Sequence, residues 1–258
     1  MTSDSTEIFE PDGRAIPVAE EGDGPVAVVL LPARGFGIDS LGTIAHVLEE
    51  EGFRTLRIGV RTAQTDGVTL HDLARDVADV LDDRGVKSAY IAGHAFGGAL
   101  ARVVALDHHD HVEGLILLGV AEPGALEGDV AEAMRTAISD APAADVREAT
   151  RVLAGDAANL DLAVAHLVRT RDVVAAAVQD AALAATPADE WTPLAPSLAV
   201  LVIQAGADPV TPPAAAERLQ ASEPARVSLA RVDGAGHLSP LTHPGETAWE
   251  IEDYLAWD

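Results

Sequence analysis

The chemistry of this chain is concentrated at three places. Gly93-His94-Ala95-Phe96-Gly97-Gly98 follows a short apolar run, Ser88 to Ala92, and precedes a helix-favouring stretch. A strand, a tight turn and a helix in that order push the central side chain, position 95, out from the top of the strand. Small residues at Gly93 and Gly97 let the backbone turn and let the helix approach. Downstream come Asp208, in Gly206-Ala207-Asp208-Pro209-Val210-Thr211-Pro212, and His237, in Gly234-Ala235-Gly236-His237. A carboxylate that orients an imidazole, and an imidazole that takes a proton from an attacking group, are parts of acyl transfer by general-base catalysis. The attacking group is missing: the methyl of Ala95 has neither a lone pair nor an acidic proton, so no acyl intermediate can form there.

The elements that must position these residues alternate. Residues 26–31, Phe53 to Val60, Ser88 to Ala92, Val112 to Val120, Leu198 to Ala205 and the more alternating Arg226 to Val232 read as strands. Between them Leu41 to Glu51, Leu70 to Arg84, Gly98 to Asp107 and Ala214 to Gln220 carry helical patterns, and Thr247 to Trp257 closes the chain with another. Alternation predicts a mostly parallel sheet with helices on both faces, an α/β fold with function at the carboxyl ends of strands. Residues 123–192 break the rhythm: they are alanine-rich and carry no strand signal, and they read as a helical lid inserted into a core of 1–122 and 193–258. Val164, Leu167 and Val168, then Val173, Val174, Ala177 and Val178, repeat at helical spacing there.

In the order nucleophile position, acid and histidine, and in the context of each, the sequence resembles the α/β-hydrolase superfamily along nearly its whole length, departing at Ala95. The resemblance implies Asp208 and His237 as catalytic partners. It implies an oxyanion hole made by the backbone N–H of Phe96 and one from the loop Ala33-Arg34-Gly35-Phe36-Gly37, with Arg34 as the donor; the Arg34 side chain could instead meet an anionic substrate group. Glu122 is a second-ranked acid. Phe36, Phe96 and Trp191, among few aromatic residues, are expected near an apolar substrate pocket, and His94, which flanks the turn, is expected to pack beside that pocket or line it. Two explanations of Ala95 stand. Either a serine has been replaced in an ester or lactone hydrolase, or alanine is native and the His237–Asp208 dyad does non-covalent acid/base chemistry, lyase-like, or serves a ligand-binding protein that is not an enzyme.

Composition narrows the partners. With 17 Lys and Arg against 42 Asp and Glu the net charge is −25, which repels phosphate backbones and anionic membrane surfaces. The expected partner is a small molecule with an apolar portion, with neither nucleic acid nor membrane. The chain has no cysteine, so thiolate catalysis and disulfides are excluded. Asp107-His108-His109-Asp110-His111 resembles a metal cluster, but its place at a helix end suits a polar surface turn. The reading calls for no metal and no cofactor. Met1 to Gly13 lacks the pattern of a secretory leader, so a cytoplasmic protein is expected.

Overall fold

The computed structural model describes residues 6–157 and 159–256. Among these, strands β1 (Glu7–Phe9), β2 (Ile16–Glu21), β3 (Ala27–Leu31), β4 (Arg54–Ile58), β5 (Ala89–His94), β6 (Val112–Leu118), β7 (Ala199–Ala205) and β8 (Val227–Val232) form one sheet. Its order is β1-β2-β4-β3-β5-β6-β7-β8. From β4 to β8 the pairing is parallel, whereas β1 and β2 add an antiparallel edge.

Helices α1 (Gly42–Glu50), α2 (Leu70–Asp83) and α3 (Phe96–Asp107) connect the early strands. Between β6 and β7 lie α4 (Gly128–Ala137), α5 (Ala143–Leu153), α6 (Leu160–Thr170), α7 (Val173–Ala185) and α8 (Ala188–Trp191). The last part of the chain adds α9 (Pro213–Ser222), α10 (Ser239–Thr242) and α11 (Pro244–Leu255). Of the expected terminal helix, Trp257 lies outside the described residues.

The continuous aliphatic character of β3 follows from burial on both faces. Val29 and Leu31 join Leu73 and Val77 of α2 and Ala99 and Val103 of α3 in one core. Val28 and Leu30 point the other way, to Ile44 and Leu48 of α1 and Ile251 of α11. A third cluster spans α4 to α7, with Met134, Ala137, Val146, Leu153 and Leu167, and reaches the top of the sheet at Ala33 and Ala95.

Spacing alone did not identify the buried face of these inserted helices. Val164, Leu167 and Val178 are buried, but Val168, Val173, Val174 and Ala177 are exposed. Asp172 caps α7 by accepting from the Ala175 N–H, so Val173 and Val174 fall in the first turn, beyond the packed face that begins at Ala175.

Candidate active site

β5 delivers the chain to Ala95, which sits between the strand and α3 with φ +48° and ψ −100°. That conformation costs a non-glycine residue about 1–3 kcal/mol and persists only where surrounding contacts impose it. Here the Ala95 N–H donates to the Leu118 carbonyl at 3.1 Å, and its carbonyl accepts from the N–H groups of Gly98 and Ala99. The flanking glycines are steric requirements. A Cβ on Gly93 would stand 2.1 Å from the Gly97 carbonyl oxygen, and one on Gly97 would stand 2.2 Å from that of Leu31.

Asp208 comes from the loop after β7 and His237 from the loop after β8; they are 5% and 1% exposed. His237 Nδ1 and Asp208 Oδ2 share a 3.1 Å hydrogen bond, in which the carboxylate accepts and Nδ1 therefore donates. Asp208 Oδ1 also accepts from the N–H groups of Val210 and Thr211, and Oδ2 accepts from Thr211 Oγ1 at 2.5 Å. Burial opposes the charge on Asp208, but attraction to His237, the hydrogen bond with it and those from Thr211 outweigh burial and hold the carboxyl down to about 2. The carboxylate is thus fixed as an acceptor that sets the imidazole tautomer and leaves Nε2 for chemistry.

His237 and Ala95 line one cavity of about 570 Å³, with Phe96, Met134, Leu183 and Trp191 among the other walls. Its surface is mainly hydrocarbon, as suits a ligand with an apolar portion. Of the rings expected there, Phe96 and Trp191 line it. His94 does not: it is 6% exposed and stacks on the rear of His237, with ring centroids 4.7 Å apart and planes inclined by 38°. Burial, then repulsion from the His237 ring, push its pKa down to about 3, so His94 is a neutral packing partner. Phe36 is placed elsewhere as well. Its backbone bridges to Arg171, the residue borders a separate hollow of about 290 Å³, and its buried side chain belongs to the cluster that includes Met134 and Ile138.

The backbone N–H of Phe96 opens α3, and that of Arg34 lies in the loop after β3. Neither has a hydrogen-bond partner among the described residues. The side chain of Arg34 is engaged: Nε and Nη2 grip the two carboxylate oxygens of Asp180 on α7. Glu122 lines the cavity but pairs with Arg218 at 2.6 Å, whereas the carboxylate on His237 is Asp208. The histidines near Asp107 disperse. His71 takes Asp107, His109 meets the Pro196 carbonyl, and no group among the described residues has the arrangement to hold a metal ion.

Sequence reasoning passed over Thr211, Gln179 and Asp180. An Asp followed three residues later by Thr in a Pro-bounded turn is a local signal for Thr211; nothing local links Gln179 or Asp180 to a loop near residue 34.

Residues 28–244 match the model of a family described as the alpha/beta hydrolase fold. Over 105 residues the chain is 31% identical to RutD of Serratia proteamaculans, a protein named for carbamate hydrolysis, covering 37% of this chain and 39% of that one. The like-named protein of Azorhizobium caulinodans is 40% identical over 50 residues, 19% of each chain. The chain therefore aligns with well under half the length of either relative. Among solved structures, a thermophilic esterase from Thermogutta terrifontis superposes with a TM-score of 0.76 at 22% identity, covering 97% of each chain. A serine hydrolase from Cycloclasticus zankles reaches 0.79 at 16% identity over 98% of each. Among the described residues, no helix is long and apolar enough to cross a membrane.

Proposed function

The chain belongs to the α/β-hydrolase fold family, and from that premise we propose that its cavity takes a carboxylic ester or lactone with an apolar portion. It does so in a form that cannot be acylated, because Ala95 occupies the nucleophile position. One observation carries the reading. A residue held at φ +48° on the strand-to-helix turn shares a cavity with an imidazole whose Nδ1 is fixed by a buried carboxylate. With a hydroxyl at position 95, His237 would take its proton as it attacks the acyl carbon, Asp208 would stabilise the resulting imidazolium, and the N–H groups of Phe96 and Arg34 would receive the developing oxyanion. The helices from α4 to α8 act as the lid that supplies the apolar wall. With alanine in place, what remains is substrate binding and slow hydrolysis by water that His237 deprotonates. Carbamates are a second acyl class to try, since both curated relatives are named for them.

A second reading keeps alanine as the working residue and lets the dyad act as a general base without a covalent step, or lets the cavity only bind. It is supported by the completeness of the Asp208–His237–Thr211 network where position 95 offers no proton. The test is Ala95→Ser, assayed on short and aromatic p-nitrophenyl esters beside the unchanged chain. The hydrolase reading expects a gain of at least about 10³-fold, well inside the roughly 10⁶-fold cost of removing the nucleophile of a serine hydrolase. No gain, together with a turnover of the unchanged chain that His237→Ala abolishes, would favour the second.

A further inference from the structure

The loop carrying Arg34 is held at its two flanking peptides by one side chain. Gln179, at the middle of α7, is wholly buried. Its Oε1 accepts from the Gly35 N–H at 2.7 Å, and its Nε2 donates to the Ala33 carbonyl at 3.3 Å. These bonds leave no freedom to exchange the amide nitrogen and oxygen, because a peptide N–H can only donate and a carbonyl can only accept. Each bond fixes a peptide group on one side of Arg34. Gly35, at φ +75°, lets the chain turn directly after the second of them. The amide left over is that of Arg34, which has no partner among the described residues. Asp180, the next residue on α7, grips the Arg34 side chain from the same helix.

We infer that Gln179 is the positioning residue of the oxyanion hole. It orients the Arg34 N–H toward the acyl oxygen, and through it the inserted helices determine whether the site is catalytically competent. The inference rests on the hydrolytic reading above. Gln179 touches no substrate and acts through the peptide it holds. An oxyanion donor is effective only when its direction is set before charge develops, and displacement on the scale of 1 Å is enough to lose about 10²-fold in rate. An apolar residue of the same length would leave the Gly35 N–H unpaired in a buried site and the Ala33 carbonyl with only its bond from the Phe36 N–H, and the loop would turn to find other partners.

The experiment adds Gln179→Met to the Ala95→Ser protein and measures kcat, KM, the pH profile and the melting temperature on one p-nitrophenyl ester. The expected result is a kcat lowered about 10- to 100-fold, with KM within about twofold and an unchanged pH profile, since binding wall and base are untouched. Gln179→Glu provides a second route should the methionine variant not fold: it keeps an acceptor for Gly35, cannot donate to Ala33 when ionised, and should lose kcat in the same way. An unchanged kcat in a folded variant, or a loss confined to KM, would overturn the positioning role while the hydrolytic reading stood. An Ala95→Ser protein that is itself inactive would instead remove the hydrolytic reading, and the role of Gln179 with it.

Discussion

The two flanks of the cavity are held together in different ways. On the acid and histidine side, every partner of Asp208 comes from within three residues of it or from His237. Two loops at the sheet edge supply that side-chain network, and the loop leading to His237 is also paired to the segment after α5, where Gly236 donates to the Ala154 carbonyl and Asp156 donates to the Gly234 carbonyl. On the side of position 95 and the Arg34 loop, the turn is strained, its reactive atom is absent, and the loop takes its hydrogen bonds from α6 and α7. Gly37 donates to the Thr170 carbonyl, Asp172 donates to the Gly35 carbonyl, and Gln179 does both. The carboxylate network of the acid and histidine flank is self-contained. The other flank is held by side chains of α7 as well as by backbone, so changes on α7 should be felt in oxyanion stabilisation before they are felt in proton transfer.

The largest test of that contrast removes the base. In the Ala95→Ser background His237→Ala should cost about 10⁴-fold or more in kcat, and Asp208→Asn about 10³-fold or more, because an amide can hold the imidazole in the wrong tautomer. Esterase assays on the two double variants check this, and an effect of Asp208→Asn below tenfold would place the working carboxylate elsewhere, with Glu122 as the next to test. Thr211→Val comes next. It removes a hydrogen bond to a buried carboxylate worth about 1.5–3 kcal/mol, which urea unfolding would show, and it should raise the Asp208 pKa from its depressed value.

The remaining effect is on acid stability. His94 has a folded pKa of about 3 against 6.5 for an ordinary histidine, so between these values the unfolded chain holds one more proton than the folded one. The stability tied to this group is complete above pH 6.5 and is lost as pH falls toward 3, at about 1.4 kcal/mol per pH unit. Asp208 adds to the loss only lower down, between its ordinary 3.8 and about 2. Against the unchanged chain, His94→Gln should flatten the dependence of melting on pH between 6 and 4. An identical dependence would mean that this ring is not held neutral.

Much of this architecture is legible in the letters for a physical reason. Parallel strands covered on both faces are unbroken aliphatic runs, and the turns at Ala95, Asp208 and His237 are bounded by glycine or proline that the backbone requires. The antiparallel strands β1 and β2 escaped because β1 is a three-residue edge strand and β2 carries Pro17, Glu20 and Glu21, so neither gives an aliphatic run. Phe36 was expected at the pocket on the strength of aromatic scarcity and His94 on its place beside the turn, and neither says which way the backbone directs the ring. The clamp of Gln179 on residues 33 and 35 had no sequence signal, because a contact across 144 residues is made by packing.

The most direct measurement is covalent capture. The Ala95→Ser protein, treated with an alkyl fluorophosphonate and digested, should carry one phosphonyl adduct on the peptide containing position 95. The adduct should form slowly or not at all when His237→Ala is added, and the unchanged chain should carry none there. No adduct on the Ala95→Ser protein, or one on another residue that persists without His237, would mean that position 95 does not face this histidine across a shared cavity.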